Sequence, residues 1–224
     1  MCGRIATYFT KEDVIDYFSL DKIIGEVKER YNVAPSQKIP VVVAGSRIMD
    51  HYSWGLLPYW SKDKKIGSKM INARAETLLE KKSFSISFKG SRCLIPVSGF
   101  YEWKNKIPYF IKLKDHDVFA LGGLYSTWSD PETNEKIKST CIITCEANGF
   151  MKKIHHRMPV IIEPKHFDEW INPQNFDVDG LMNLLTPYEI KEMESYEVSS
   201  LVNSSKNENI NLIKRKTLKQ VNLF

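Results

Sequence analysis

A cysteine stands at position 2, directly after Met1. Removal of the initiator methionine, which a small second residue favours, would leave a first residue carrying two nucleophiles. These are an α-amine (ordinary pKa ~7.7–8.0) and a thiol (~8.5) on adjacent carbons. Such a 1,2-aminothiol condenses with an aldehyde: the amine forms an imine, and the sulfur closes a five-membered thiazolidine. A thiolate in this place could also attack an acyl carbon, as N-terminal nucleophile hydrolases do. The plain alternative is a chance cysteine on a frayed terminus.

Three further stretches set polar groups in apolar surroundings. Ile71-Asn-Ala-Arg-Ala-Glu-Thr77 spaces Asn72, Arg74 and Glu76 as on a strand, although an ordinary capped helix start would read the same way. Pro96-Val-Ser-Gly-Phe-Tyr-Glu-Trp103 puts one carboxylate, Glu102, among Phe100, Tyr101 and Trp103. Desolvation by those rings would raise its pKa and let it trade protons near neutrality, whereas an edge-strand Glu102 would face water. His155 and His156 precede the apolar run from Met158, at a loop-to-strand junction where catalytic groups often sit. A vicinal His pair is a poor metal motif, because neighbours on a strand point apart and neither H-x-x-x-H spacing nor a nearby cysteine completes a set; two surface histidines are the bland reading.

Short runs must carry these groups. Pro40–Ala44, Arg92–Ser98, Tyr109–Lys114, Val118–Leu121, Thr140–Cys145 and Pro159–Ile162 are β-rich and bounded by Gly, Pro, Asn or Asp, which predicts strands. Lys112 and Lys114 alternate with Ile111 and Leu113, giving that strand a wet face. Helices are fewer. Thr10 with Asp13 caps one that runs to about Phe18, a second is expected near Glu76 to Lys82, and a third after Thr186-Pro-Tyr-Glu189. Residues 61–65, 129–138 and 203–208 read as surface loops. Strands and helices without βαβ alternation indicate an α+β fold with a mainly antiparallel sheet.

The 224 residues are 42% hydrophobic, 26% charged and 12% aromatic, enough for one large core and too apolar for a disordered chain. No apolar run approaches the ~20 residues of a membrane span. The start of the chain lacks the apolar stretch of a secretory signal. Lys and Arg exceed Asp and Glu by 32 to 27, a net +5 that permits a polyanionic partner without demanding one. Cys2, Cys93, Cys141 and Cys145 include no C-x-x-C, so neither a disulfide framework nor a zinc ribbon is expected. Reduced thiols in a cytoplasmic compartment are the simplest expectation.

Taken together, Met1-Cys-Gly-Arg4, Tyr31-Asn-Val-Ala-Pro-Ser-Gln37, Trp54-Gly-Leu-Leu-Pro-Tyr-Trp60, Asn72-Ala-Arg-Ala-Glu-Thr77, Arg92 through Trp103, Thr144 and His155-His-Arg-Met-Pro159 fall in a telling order. The chain resembles the SOS-response-associated peptidase (SRAP) family from residue 2 to about Asn203. The resemblance implies one domain over 1–224 with a barrel-like sheet core, peripheral helices, and a C-terminal strand and basic tail. It implies a protein that binds single-stranded DNA and crosslinks the mature Cys2 to the aldehyde of an abasic site as a thiazolidine. Crosslink reversal, weak β-elimination and self-processing are compatible with that chemistry. Under the resemblance Cys2 is the nucleophile and Asn72 orients its amine. Glu102 and His155 are the acid/base groups, and Arg4, Arg74, Trp103, Thr144 and Arg157 meet the DNA. The family's H-x-R-M-P register favours His155 over His156. No cofactor, metal or membrane is implied, a monomer suffices, and a bacterial member would work at the nucleoid. A Cys2/His155/Glu102 peptidase and a non-covalent single-strand binder are the competing readings.

Overall fold

The computed structural model describes residues 2–43 and 45–217. In chain order the strands are β1 (Ile5–Thr7), β2 (Lys22–Ile23), β3 (Arg30–Val33), β4 (Lys38–Val43), β5 (Ile48–Trp54), β6 (Asn72–Arg74) and β7 (Arg92–Val97). They continue with β8 (Gly99–Lys104), β9 (Ile107–Leu113), β10 (Phe119–Ser129), β11 (Lys136–Glu146), β12 (Arg157–Pro159), β13 (Ile161–Ile162) and β14 (Met193–Glu197). The helices are α1 (Lys11–Phe18), α2 (Lys82–Gly90), α3 (Phe167–Ile171) and α4 (Val178–Asn183).

Two sheets result. In the larger, β11-β10-β7-β4-β5 closes on itself, because β5 also pairs with β11 in parallel through Ser53↔Ser139 and Trp54↔Thr140. The other sheet is antiparallel, in the order β14-β9-β8-β1-β3. The α+β architecture with a barrel core and peripheral helices therefore stands, with parallel pairings added at β2, β6 and the barrel closure. β11 changes partners halfway along its 11 residues. One edge passes from β10 to β12, the other from β5 to β6. Its far end thus gathers the strand that bears Asn72 and Arg74 and the strand that follows His155.

Core packing fixes these strands. Trp54, Trp128 and Trp170 are almost wholly buried, and each indole N–H finds a carbonyl: Ile71 at 2.9 Å, Ser61 at 2.7 Å and Cys93 at 2.9 Å. The Trp54 bond seats the chain immediately ahead of β6. A Cβ on Gly99 would lie 2.2 Å from the Phe110 ring and 2.8 Å from the Ile111 carbonyl, so only glycine lets β8 and β9 approach there.

The Thr10–Asp13 capping box forms as expected and starts α1. The other two helices are corrected. Residues 75–77 form a single 3-10 turn, and α2 begins only at Lys82, because Glu76 is drawn to the Arg157 guanidinium rather than to a cap. Residues 186–189 form no helix, held where the Tyr188 carbonyl accepts Asn148, and lead through a 3-10 turn into β14, whose pairing with β9 outweighs the local helix signal. The loop expected at 129–138 shrinks to 130–135, since the β10–β11 hairpin pairs out to Ser129↔Lys136. The C-terminal strand is β14, and the basic tail is described as far as Thr217; residues 218–224 of that expectation lie outside the described residues.

Arg92 is 1% exposed and makes no ion pair among the described residues. Its guanidinium donates instead to the carbonyls of Phe88, Lys89, Trp170, Asn172 and Asn175, joining the end of α2 to the end of α3. The rings of Phe88 and Trp170 lie 5.8 and 5.9 Å from it. Arg92→Met keeps the apolar stem and strands these carbonyls, so we expect a loss of about 3–5 kcal/mol. Calorimetry should register this as a fall in Tm of roughly 10 °C.

Candidate active site

Pairing of Ile5 with Phe100 and Ala6 with Gly99 lays the start of the chain antiparallel along β8. The Tyr101 N–H donates to the Arg4 carbonyl at 2.9 Å, so the residues before Arg4 run toward Glu102. Cys2 is fully buried. Asn72, at the start of β6, donates its amide to the Cys2 carbonyl at 2.8 Å. The Asn72 Oδ1 is buried with no hydrogen-bond partner among the described residues. The expectation of a frayed terminus fails at residue 2, and that of a helix start fails at Asn72.

Glu102 lies on β8 between β1 and β9 and is 3% exposed, so the edge-strand alternative also falls. Burial pushes its carboxyl above the usual carboxylate range, while the Trp103 N–H and nearby His156 pull the other way. His155 sits in the turn before β12 with Nδ1 4.0 Å from the Glu102 Oε1. Nδ1 is 3.0 Å from the Arg157 N–H and 3.2 Å from the Arg157 carbonyl oxygen. One backbone residue can therefore hold the ring either as acceptor or as donor. Burial lowers the His155 pKa, the Arg157 backbone bond opposes this, and the Arg157 charge adds to the lowering. The Cys2 thiol is pushed far up, first by burial and then by the Glu102 charge. Cys93 and Cys145 are both pushed up to about 12 by burial, which leaves them inert.

The two histidines do not point apart. Their rings pack 4.3 Å between centroids because both lie in the turn rather than on β12, with His156 on the exposed side. Arg74 is also exposed and makes no ion pair among the described residues; its charge and that of Arg157 help to lower the His156 pKa, after His155 itself. Trp103 is half-buried, with its indole N–H on Asn203 Oδ1 at 2.8 Å. Arg4 is half-buried and gives Nη1 to Asn32 Oδ1 and to the Val202 carbonyl. Thr144 and Arg157 turn inward. Arg157 clasps Glu76 through two bonds of 2.7 and 2.9 Å and reaches the Thr144 carbonyl at 2.6 Å. Their expected contact with DNA meets this burial: neither side chain faces solvent, and together they brace β6, β11 and β12 from beneath.

Two residues of the site escaped the sequence reading. Glu76 showed only its alternation with Arg74, and nothing in the sequence links it to Arg157, 81 residues on. Partial burial would raise its carboxyl, but the Arg157 guanidinium holds it below the ordinary range. Asn32 is fully buried and gives both amide hydrogens to the Ser204 and Asn207 carbonyls while accepting from Arg4. Its signal was a lone amide inside the run Arg30–Val33. Among the described residues no three His, Cys, Asp or Glu side chains gather as a metal site would require.

The raised Glu102 pKa has a stability consequence. A group whose folded pKa exceeds its unfolded value stabilises below the unfolded pKa and loses that contribution as pH rises through the folded one. Glu102→Gln removes the buried charge at nearly constant shape. It should leave stability unchanged near pH 4 and raise it, with Tm rising in step, at pH 8. Thermal melts across that range check this; a variant less stable at pH 8 than the parent would show that the carboxylate is held favourably.

Comparison with known proteins agrees with the fold. The sequence matches the family described as "SOS response associated peptidase (SRAP)" over residues 1–205. It is 48% identical to the abasic site processing protein YoqW of Bacillus subtilis over 222 residues, covering 95% of this chain and 99% of that one. Chicken HMCES, also called an abasic site processing protein, is 28% identical, with 82% of this chain and 65% of that one covered. A crystal structure of a Bacteroides thetaiotaomicron protein superposes with a TM-score of 0.87 at 27% identity, over 96% of this chain and all of that one. By these measures the chain belongs to the SOS response associated peptidase family.

Proposed function

We propose that this protein binds single-stranded DNA and links itself covalently, through Cys2, to the aldehyde of an abasic site, so processing the lesion by shielding it. The observation that carries this reading is the buried Cys2, its carbonyl on Asn72, with Glu102 bearing on its thiol. The naming of the relatives as abasic site processing proteins supports it.

The chemistry starts once Met1 is removed and residue 2 carries a free amine. An abasic deoxyribose is mostly a closed hemiacetal, so a proton donor and an acceptor must open it. Glu102 raised and His155 lowered bring a carboxyl and an imidazole toward similar proton affinity, the arrangement such opening needs. The amine adds to the aldehyde carbon, and the carbinolamine loses water to an imine. The S–H then adds across that C=N bond: sulfur bonds to carbon, and its proton passes by way of Glu102 to nitrogen, giving a neutral thiazolidine. Reprotonation on nitrogen would run the last step backward. The same imine acidifies the neighbouring carbon, which would open a route to weak β-elimination.

The site favours this reading over peptidase turnover. A cysteine hydrolase needs its thiolate, and burial disfavours that form of the Cys2 sulfur. For the strand itself we assign direct contacts to exposed Arg74, half-buried Trp103 and Arg4, with Thr144 and Arg157 bracing the strand that bears Arg74. Exposed Tyr59 and Trp60 stand next to Lys62, Lys64, Lys65 and Lys69, and Trp60, Lys62, Lys65 and Lys69 line a groove of about 750 Å³. Aromatic platforms beside a basic track suit single strands of any sequence.

Cys2→Ser keeps the amine and loses the ring-closing sulfur. We expect its imine to be trapped only by borohydride, with no heat-stable adduct on a denaturing gel; stable crosslinking would overturn the thiazolidine. His155→Ala should slow single-turnover adduct formation by about two to four orders of magnitude, the range for a lost general acid or base. For exposed His156→Ala we expect a change of less than about fivefold, since its ring only flanks His155. The reverse ranking would move the acid/base role to His156, and equal small effects would leave Glu102 to move the proton alone.

A further inference from the structure

After β14 the chain crosses the outer face of the antiparallel sheet in two 3-10 turns, Ser200–Asn203 and Ile210–Ile213. Val198, Val202 and Leu212 bury themselves there on Ala6, Tyr101 and Phe110, with Trp103 and Tyr8 at the margin. This strap makes two polar contacts with residues assigned above to the DNA. Asn203 Oδ1 accepts the Trp103 indole N–H at 2.8 Å, and the Val202 carbonyl accepts Arg4 Nη1 at 2.7 Å. Asn32 locks the strap in turn by donating to Ser204 and Asn207 at 2.9 and 2.8 Å.

Asn203 is itself exposed, unlike Val202 beside it. A hydrogen bond between an exposed amide and a half-exposed indole adds little to folding, since water would serve both groups nearly as well. What water would not do is fix the ring. A tryptophan turns about two side-chain bonds, and one already held in its stacking orientation has less freedom to lose when a base lands on it. Freezing such a side chain on binding costs a factor of roughly 2–10 in affinity.

We propose that Asn203 is a positioning residue: it holds the Trp103 indole ready for a base, while the neighbouring Val202 carbonyl aligns Arg4 beside it. The binding face is therefore completed by a segment about 100 residues after Trp103 and about 200 after Arg4. This rests on the reading of Trp103 as a contact to the strand.

Titration of an undamaged fluorescein-labelled single strand tests it in the full-length protein. Asn203→Leu, similar in shape but without an acceptor, should weaken binding by about 3–10-fold. Its Tm should stay within about 2 °C of the parent, and the Trp103 indole N–H resonance should move toward its solvent-exposed position. In the Trp103→Phe background, where there is no N–H to hold, Asn203→Leu should change affinity by less than about 1.5-fold. An unchanged affinity in the first variant, or an equal loss in both backgrounds, would overturn the positioning role. If Trp103→Ala alone binds as tightly as the parent, the assignment of Trp103 to the DNA falls first, which is a separate failure.

Discussion

Ile5 opposite Phe100 and Ala6 opposite Gly99 form a very short ladder, yet the site's chemistry hangs on that pairing. Both β1 residues are fully buried, so a slip of one position would turn each to the wrong side of the sheet, and the register has no cheap alternative. Gly99 makes the ladder possible, since any side chain there would meet the Phe110 ring. Once the pairing is fixed, the Arg4 carbonyl takes the Tyr101 N–H and residue 2 lies along the strand that carries Glu102. A chain start that would otherwise fray is thereby buried between two sheets, and Asn72 of the barrel fastens it from the other side.

Burial then acts on all three reactive groups in one chemical direction. It raises the Cys2 thiol and the Glu102 carboxyl and lowers the His155 imidazole, so each is pushed toward its neutral form. The nearby cations, Arg74 and Arg157, reinforce this at the histidines. A neutral trio suits a condensation, in which protons must be both given and taken and water must leave. It suits thiolate attack poorly.

What could be read from the sequence was local. The Thr10–Asp13 box, the β-branched runs and the aromatic neighbours of Glu102 each announce themselves within a few residues, and each appears in the structure. The helix expected at 76–82 failed because Glu76 answers to Arg157, and the one after Thr186 failed because β14 pairs with β9. The barrel closure was equally hidden, since it joins Ser53 and Trp54 to Ser139 and Thr140 in parallel. The expectation that His155 and His156 point apart assumed a strand where the chain makes a turn. In the helix and barrel misses, the deciding partner lay far along the chain, out of reach of any local signal.

The Arg157–Glu76 pair shows why such distant partners are retained. The arginine side chain is 8% exposed and the glutamate 43%, so water screens much of their attraction from one side. The gain from the pair is accordingly modest. The cost of leaving Arg157 unpaired is not, because its charge would stay buried. Glu76 thus makes tolerable the burial of an arginine that spans β12, β11 and the turn after β6. With the guanidinium pinned at its far end, the Arg157 backbone is fixed too, and that backbone offers His155 both a donor and an acceptor. An ion pair worth little by itself therefore sets the geometry around His155, one of the two groups to which the proposed mechanism gives a proton-transfer role.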